Sequence, residues 1–188
     1  MRKIHFETID STNTYAKSLP SGEALLITAD EQTGGRGRHG RSFSSVKNNG
    51  LYMTYRMPVG KKAEEALFIT ILTAVAVYDV LSRYADGLSI KWVNDIYHGD
   101  RKVCGILCEA VTDFKTGIMT DCIIGIGINL NADISLMPEE LKGKAGALLI
   151  DKPKDELADE IVAEIDRLMT LPFNEVLNVY REHQYLMG

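Results

Sequence analysis

The chain has 188 residues, 45% apolar and 25% charged, with 26 acidic against 21 basic side chains and a formal net charge of −5. A chain of this size buries about 70% of its unfolded surface without a metal or disulfide staple, and its acidic balance argues against a general nucleic-acid binder. The cysteines, Cys104, Cys108 and Cys122, are odd in number and the opening MRKIHFETID lacks the apolar core of a signal peptide, so a reducing cytoplasm is the expected compartment.

Residues 3–9 alternate as a strand, and Asp10-Ser11-Thr12-Asn13 supplies N-cap side chains for a short helix ending near Pro20. Residues 24–31 read as a second strand running into a glycine-rich loop, and residues 51–57 as a third. A long buried helix is predicted over 63–84, ended by Asp86-Gly87. Its apolar run contains Thr70, Thr73 and Asp79 and is too short to span a membrane. Residues 89–92 are short and extended, Val93-Asn94-Asp95 forms a turn, and His98-Gly99-Asp100 is a hairpin signal before a strand over 102–111. After a turn at 114–117 comes a strand over 118–130, whose Gly125 and Gly127 leave room for something to lie against the backbone. Leu157, Ile161, Ile165 and Leu168 then repeat at helical spacing, Pro172 interrupts, and a last helix is predicted over 174–186. No internal repeat or long linker breaks the pattern, so residues 1–188 read as one α+β domain built on a mixed sheet.

Chemistry concentrates in Gly34-Gly35-Arg36-Gly37-Arg38-His39-Gly40-Arg41. Glycine lets the backbone approach a ligand closely, and guanidinium groups offer planar donor forks suited to carboxylate and phosphate. Three crowded arginines repel unless an anion gathers them, so the loop reads as an anion clamp rather than a solvated hairpin tip. It matches neither a P-loop nor a dinucleotide fingerprint. Lys91-Trp92-Val93-Asn94-Asp95-Ile96 places a cation, an amide and a carboxylate in one extended turn, and Lys102 follows across a hairpin, where it either shares a cleft with Asp95 or ends a strand in solvent. Ser11-Thr12-Asn13 serves first as a helix cap, with hydroxyls left over for a ligand amide. Asn129 and Asn131 either read a base edge or terminate their strand. His5, His39, His98 and His183 are scattered and Cys104 and Cys108 have no second ligand pair at zinc spacing, so buried thiols are expected.

Taken in order, GRGRHGR, KWVNDI, DRKVCGILCE and GIGINLN closely resemble the catalytic domain of biotin protein ligases. The likeness runs from the Asp10 segment to about Asn131 and continues more weakly to Gly188. The resemblance implies a mixed sheet flanked by helices, as in class II aminoacyl-tRNA synthetases and lipoate ligases. It implies a two-step reaction: biotin and ATP give biotinyl-5′-AMP, and a lysine of a biotin carboxyl carrier protein domain then takes the biotin. Carried over by position, Arg38, Lys102 and Asp95 would be catalytic, with Lys102 bridging carboxyl and phosphate oxygens and Asp95 orienting or deprotonating the incoming amine. Ser11, Thr12, Asn13, Gln32, Gly35, Arg36, Gly37, Arg38, Lys102 and Gly105 would bind biotin. Arg36, Arg38, Phe43, Lys91, Asn94 and Asn129 would face ATP or the adenylate. Magnesium would accompany ATP, and no tightly held protein metal is expected. By the same resemblance a homodimer is expected, but neither DNA nor a membrane as a partner.

Val93 stands where the family usually has proline, and Phe43 where it often has tryptophan. Neither the helix-turn-helix domain of biotin repressors nor the small C-terminal β-barrel of the family falls within the sequence, so repressor activity is not expected. The rival readings are a lipoate or octanoate ligase or transferase on the same fold, and a biotin-binding module without transfer. The loop is expected to close as a lid that keeps water from the anhydride. Amide exchange in the ligand-free protein is expected to be faster at residues 34–41 than in the strands on either side, and protection equal to that of the sheet overturns this.

Overall fold

Alternation along one strand organises the molecule. In the computed structural model, which describes residues 1–62 and 65–185, β3 (Leu51–Lys62) runs further than the predicted 51–57. Met53, Tyr55 and Met57 enter the main core, while the intervening Thr54 and Arg56 reach the helix on the opposite face.

The other strands are β1 (Arg2–Ile9), β2 (Leu25–Gln32), β4 (Leu88–Lys91), β5 (Asp95–His98), β6 (Arg101–Thr112) and β7 (Ile118–Ile128). They form one seven-stranded sheet in the order β1-β2-β3-β7-β6-β5-β4. Only β1 and β2 pair in parallel, so the sheet is mixed, as expected. Helices α2 (Ala66–Leu81), α3 (Lys154–Leu168) and α4 (Phe173–Glu182) cover one face. The short α1 (Thr12–Ser18) covers part of the other, where Ala16 packs on Leu25, Ile27 and Ile123.

Helix α2 is apolar on nearly every side because it lies between the sheet and the α3–α4 pair. No helix among the described residues is long and apolar enough to cross a membrane. Residues 63 and 64, the predicted start of α2, lie outside the described residues. Several boundaries differ from expectation. Asp95 begins β5 instead of lying in a turn, and β7 stops at Ile128, two residues early. Helix α4 ends at Glu182, short of 186, because the chain turns back along β4: Ile90 N–H donates to His183 O and Tyr185 N–H to Ile90 O, both at 2.8 Å. That pairing covers one open edge of the sheet.

Arg56 is buried beneath α1 and ties down its far end. Its Nη1 donates to Ala16 O (3.2 Å) and Leu19 O (3.1 Å), Nε donates to Glu23 O (3.2 Å), and Nη2 donates to Pro20 O. Asp121, also buried, lies 3.6 Å from Nε and balances the charge. Removing one partner of such a pair leaves an uncompensated charge in a dry interior. Arg56→Ala is therefore expected to lower the unfolding free energy by about 3–5 kcal/mol in urea titration.

Candidate active site

The site begins with three absent side chains. Gly105 on β6 and Gly127 on β7 are paired directly, and Gly125 lies two residues along β7 on the same face. A Cβ on Gly127 would sit 2.4 Å from the Phe43 ring, and one on Gly125 would sit 2.3 Å from Asn13 Oδ1. Glycine is required so that both side chains can lie on the sheet.

A β-bulge then aims the cation. Ile96 pairs with Cys104 and Tyr97 with Lys102, leaving Val103 as an extra residue in β6. Val103 and Cys104 are consecutive and both fully buried, and the alternation restarts so that Lys102 shares a face with Gly105. From there Lys102 Nζ donates to Asp95 Oδ1 at 2.6 Å. One residue earlier, Asn94 Oδ1 accepts from Arg38 Nη1 (3.2 Å) while its Nδ2 donates to Ile106 O (2.6 Å).

The glycine-arginine loop is tied at its base and open at its tip. Phe43 N–H donates to Gly35 O (2.9 Å), Gly37 N–H to Arg41 O (2.7 Å) and Gln32 N–H to Ser45 O (3.1 Å). At the tip His39 and Gly40 take positive φ angles, 55° and 73°. Arg36, Gly37 and Arg38 face a cleft between the loop and the sheet. Its opposite wall is polar: Thr12 N–H donates to Gln32 Oε1 (2.9 Å), Thr54 Oγ1 lies 2.6 Å from Asn13 Oδ1, and Ser11 Oγ accepts from Thr14 N–H (3.3 Å). Leu107, paired with Gly125 and on the same face, supplies apolar lining between them.

Ser11, Thr12, Asn13, Gln32, Arg36, Gly37, Arg38, Phe43, Asn94, Lys102 and Gly105 thus converge on one cleft. Asp95 and Asn129 line a second chamber beyond Lys102 and Phe43, with Arg41, Met137 and Lys144. Gly35 is buried behind the loop, where a Cβ would meet Phe43 O at 2.4 Å. Lys91 lines neither space: its ammonium lies 4.6 Å from the centre of the Tyr97 ring and 5.5 Å from that of Tyr185. The amide of Asn129 is spent on the protein, donating to Gly146 O at 2.8 Å, so its side chain closes the strand end while bordering the chamber. Cys104 and Cys122 point into the core, and burial pushes the Cys104 thiol far above its ordinary range, so it stays protonated. Sequence reasoning passed over Thr54, Ser45 and Glu109, which hold the polar wall together; the signal available was polar Thr54 and Arg56 at alternate positions of an otherwise apolar strand.

These features define an α+β domain with a cleft between a glycine-floored sheet and an arginine loop. The chain belongs to the biotin/lipoate A/B protein ligase family, whose profile matches residues 5–129. It is 36% identical over 149 residues to the bifunctional ligase/repressor BirA of Bacillus spizizenii, covering 77% of this chain and 45% of that protein. The Escherichia coli protein of the same name is 38% identical over 129 residues, 65% of this chain and 38% of its own length. The chain therefore spans less than half the length of these two relatives. Among solved structures, a biotin protein ligase from Aquifex aeolicus in complex with biotin and ATP superposes on 100% of this chain and 80% of that one, with a TM-score of 0.85 and 27% identity.

Because the floor admits no methyl group beneath Phe43, Gly127→Ala is expected to overpack the site and destabilise the fold by about 1–3 kcal/mol. Thermal unfolding of the variant beside the parent checks this, and an unchanged midpoint refutes it.

Proposed function

We propose that this chain carries the adenylation and transfer centre of a biotin protein ligase. The biotin carboxylate attacks the α-phosphorus of ATP, pyrophosphate leaves, and biotinyl-5′-AMP remains in the cleft. A lysine amine of a biotin carboxyl carrier protein domain then attacks the acyl carbon, and AMP leaves. The observation that carries this reading is one cleft with a polar wall at Ser11, Thr12 and Gln32 and a cationic wall at Arg36, Arg38 and Lys102. The first suits a ureido ring, and the second suits a carboxylate meeting a phosphate.

The charges have separate tasks. Adenylation brings anion to anion, so fixed cations at the developing charge lower the barrier more than they would in water. Arg36 and Arg38 gather the phosphate oxygens, and Lys102 turns from Asp95 to bridge carboxyl and phosphate. Asp95, released from Lys102, accepts a proton from the incoming ammonium, which is mostly protonated at neutral pH with a free pKa of about 10.4. The nucleotide occupies the chamber lined by Asp95, Asn129 and Lys144 beyond Phe43. Magnesium enters with ATP. There the nucleotide's phosphates would be its chief ligands. The three free cysteines suit a reducing cytoplasm.

Two rivals fit less well. A lipoate or octanoate head is apolar and would leave the buried Ser11 and Thr12 hydroxyls facing a group that cannot pair with them. A binding module without transfer has no use for Asp95 within 2.6 Å of Lys102.

Biotin-dependent ATP–pyrophosphate exchange, followed by avidin detection of a labelled carrier domain, tests the proposal. Exchange only with lipoate or octanoate overturns it. Lys102→Ala is expected to lower the kcat/KM of biotin-dependent exchange by about 10²–10³, equivalent to about 2.7–4 kcal/mol. Lys61→Ala, whose ammonium pairs with Glu65 on the far side of the sheet, is expected to leave exchange unchanged.

A further inference from the structure

A chain of polar groups runs behind the cleft, and acceptor-only atoms at both ends fix its direction. At one end the Glu109 carboxylate receives Asn13 Nδ2 at 2.9 Å and the Lys17 ammonium. Leu107 O, the other acceptor facing that amide, lies 3.5 Å from the same nitrogen. Asn13 must therefore turn its Oδ1 the other way, where among the described residues the Thr54 hydroxyl, 2.6 Å off, is its donor. That commits the Thr54 proton. The 2.8 Å contact between Thr54 Oγ1 and Thr12 Oγ1 then needs a proton from Thr12. At the other end Ser45 Oγ donates to Phe43 O (3.2 Å) and accepts from Gln32 Nε2 (2.9 Å), so Gln32 Oε1 faces Thr12, accepting its N–H at 2.9 Å and lying 3.0 Å from its Oγ1, a second inward acceptor for the same hydroxyl proton.

We infer that Thr54 and Glu109 are positioning residues that set the hydrogen-bond polarity of the cleft: together with Gln32 Oε1 they offer the Thr12 hydroxyl proton inward acceptors, which makes Thr12 an acceptor beside the donor Ser11. The Ser11 hydroxyl accepts from Thr14 N–H, which leaves its own proton for the ligand. A donor next to an acceptor fits a carbonyl next to an N–H, the pattern of a cyclic urea. Thr54 is fully buried and does not line the cleft, so it acts only through Thr12 and Asn13. This inference deepens the proposed function and rests on it for the identity of the ligand.

Two measurements test it. In the ligand-free protein, side-chain amide NMR of Asn13 is expected to shift and lose exchange protection in Glu109→Gln and in Thr54→Val, with Thr54→Ser resembling the parent. Unchanged Asn13 signals overturn the relay whatever the ligand is. In pyrophosphate exchange, Thr54→Val is expected to raise the KM for biotin about tenfold, with kcat and the KM for ATP within about twofold, and Thr54→Ser to restore it. The polarity itself is read with a cyclic carbamate analogue, in which one ring N–H of biotin is replaced by oxygen. The parent should prefer biotin, and Thr54→Val combined with Gln32→Leu, which removes both inward acceptors and frees the Thr12 proton to face the cleft, should narrow that preference at least about fivefold. A merely structural loss would weaken both ligands equally, and an unchanged preference overturns the inference. Absence of biotin-dependent exchange in the parent defeats the proposed function instead, and the NMR result still decides the relay.

Discussion

Everything at this site depends on how closely side chains approach a bare strip of sheet. Gly105, Gly125 and Gly127 leave β6 and β7 without Cβ atoms on one face, and the Phe43 ring and the Asn13 amide settle into that space. Side chains there would lift α1 and the base of the arginine loop off the strands and open both walls of the cleft. The strip is affordable because the opposite face of the same strands is dense: Cys104, Ile106, Ile124, Ile126 and Ile128 pack against α2 and the helices beyond it. Stability comes from one face of the sheet and binding geometry from the other.

The strands carry this division by simple alternation, with one deliberate exception. Along β3, Met53, Tyr55 and Met57 serve the core while Thr54 and Arg56 hold the two ends of α1. Along β6 the alternation would have buried Lys102 on the wrong side, and the extra residue Val103 reverses it. The cation's chemistry is thus set by a defect in the ladder, and its charge is held by Asp95 from the neighbouring strand.

The strands and main helices could be read from alternation and helical spacing, and the loop, the KWVNDI turn and the GIGIN segment were sufficient to suggest the family. What sequence did not reveal were features set by three-dimensional register. Lys91 is paired directly with Asp95 and shares its face of the sheet, yet its ammonium lies over the Tyr97 and Tyr185 rings, and Tyr185 comes from a distant segment that the motif does not announce. Asn129 had two open readings, and its donor went to Gly146, in a segment with no periodic pattern of its own. The bulge at Val103 leaves no mark in composition, because a buried valine before a buried cysteine looks like any strand interior.

That unpatterned segment has a mechanical consequence. Residues 144–150 lie along the strand ends: Lys102 N–H donates to Lys144 O (2.9 Å), Gly146 N–H donates to Lys102 O (2.8 Å), and Asn131 holds Ile150 through both its amide atoms. Both backbone groups of Lys102 are therefore bound to the wall of the second chamber. The strand position that carries the ammonium and that wall are one hydrogen-bonded unit, so whatever fills the chamber bears on the backbone from which the cation reaches the first cleft.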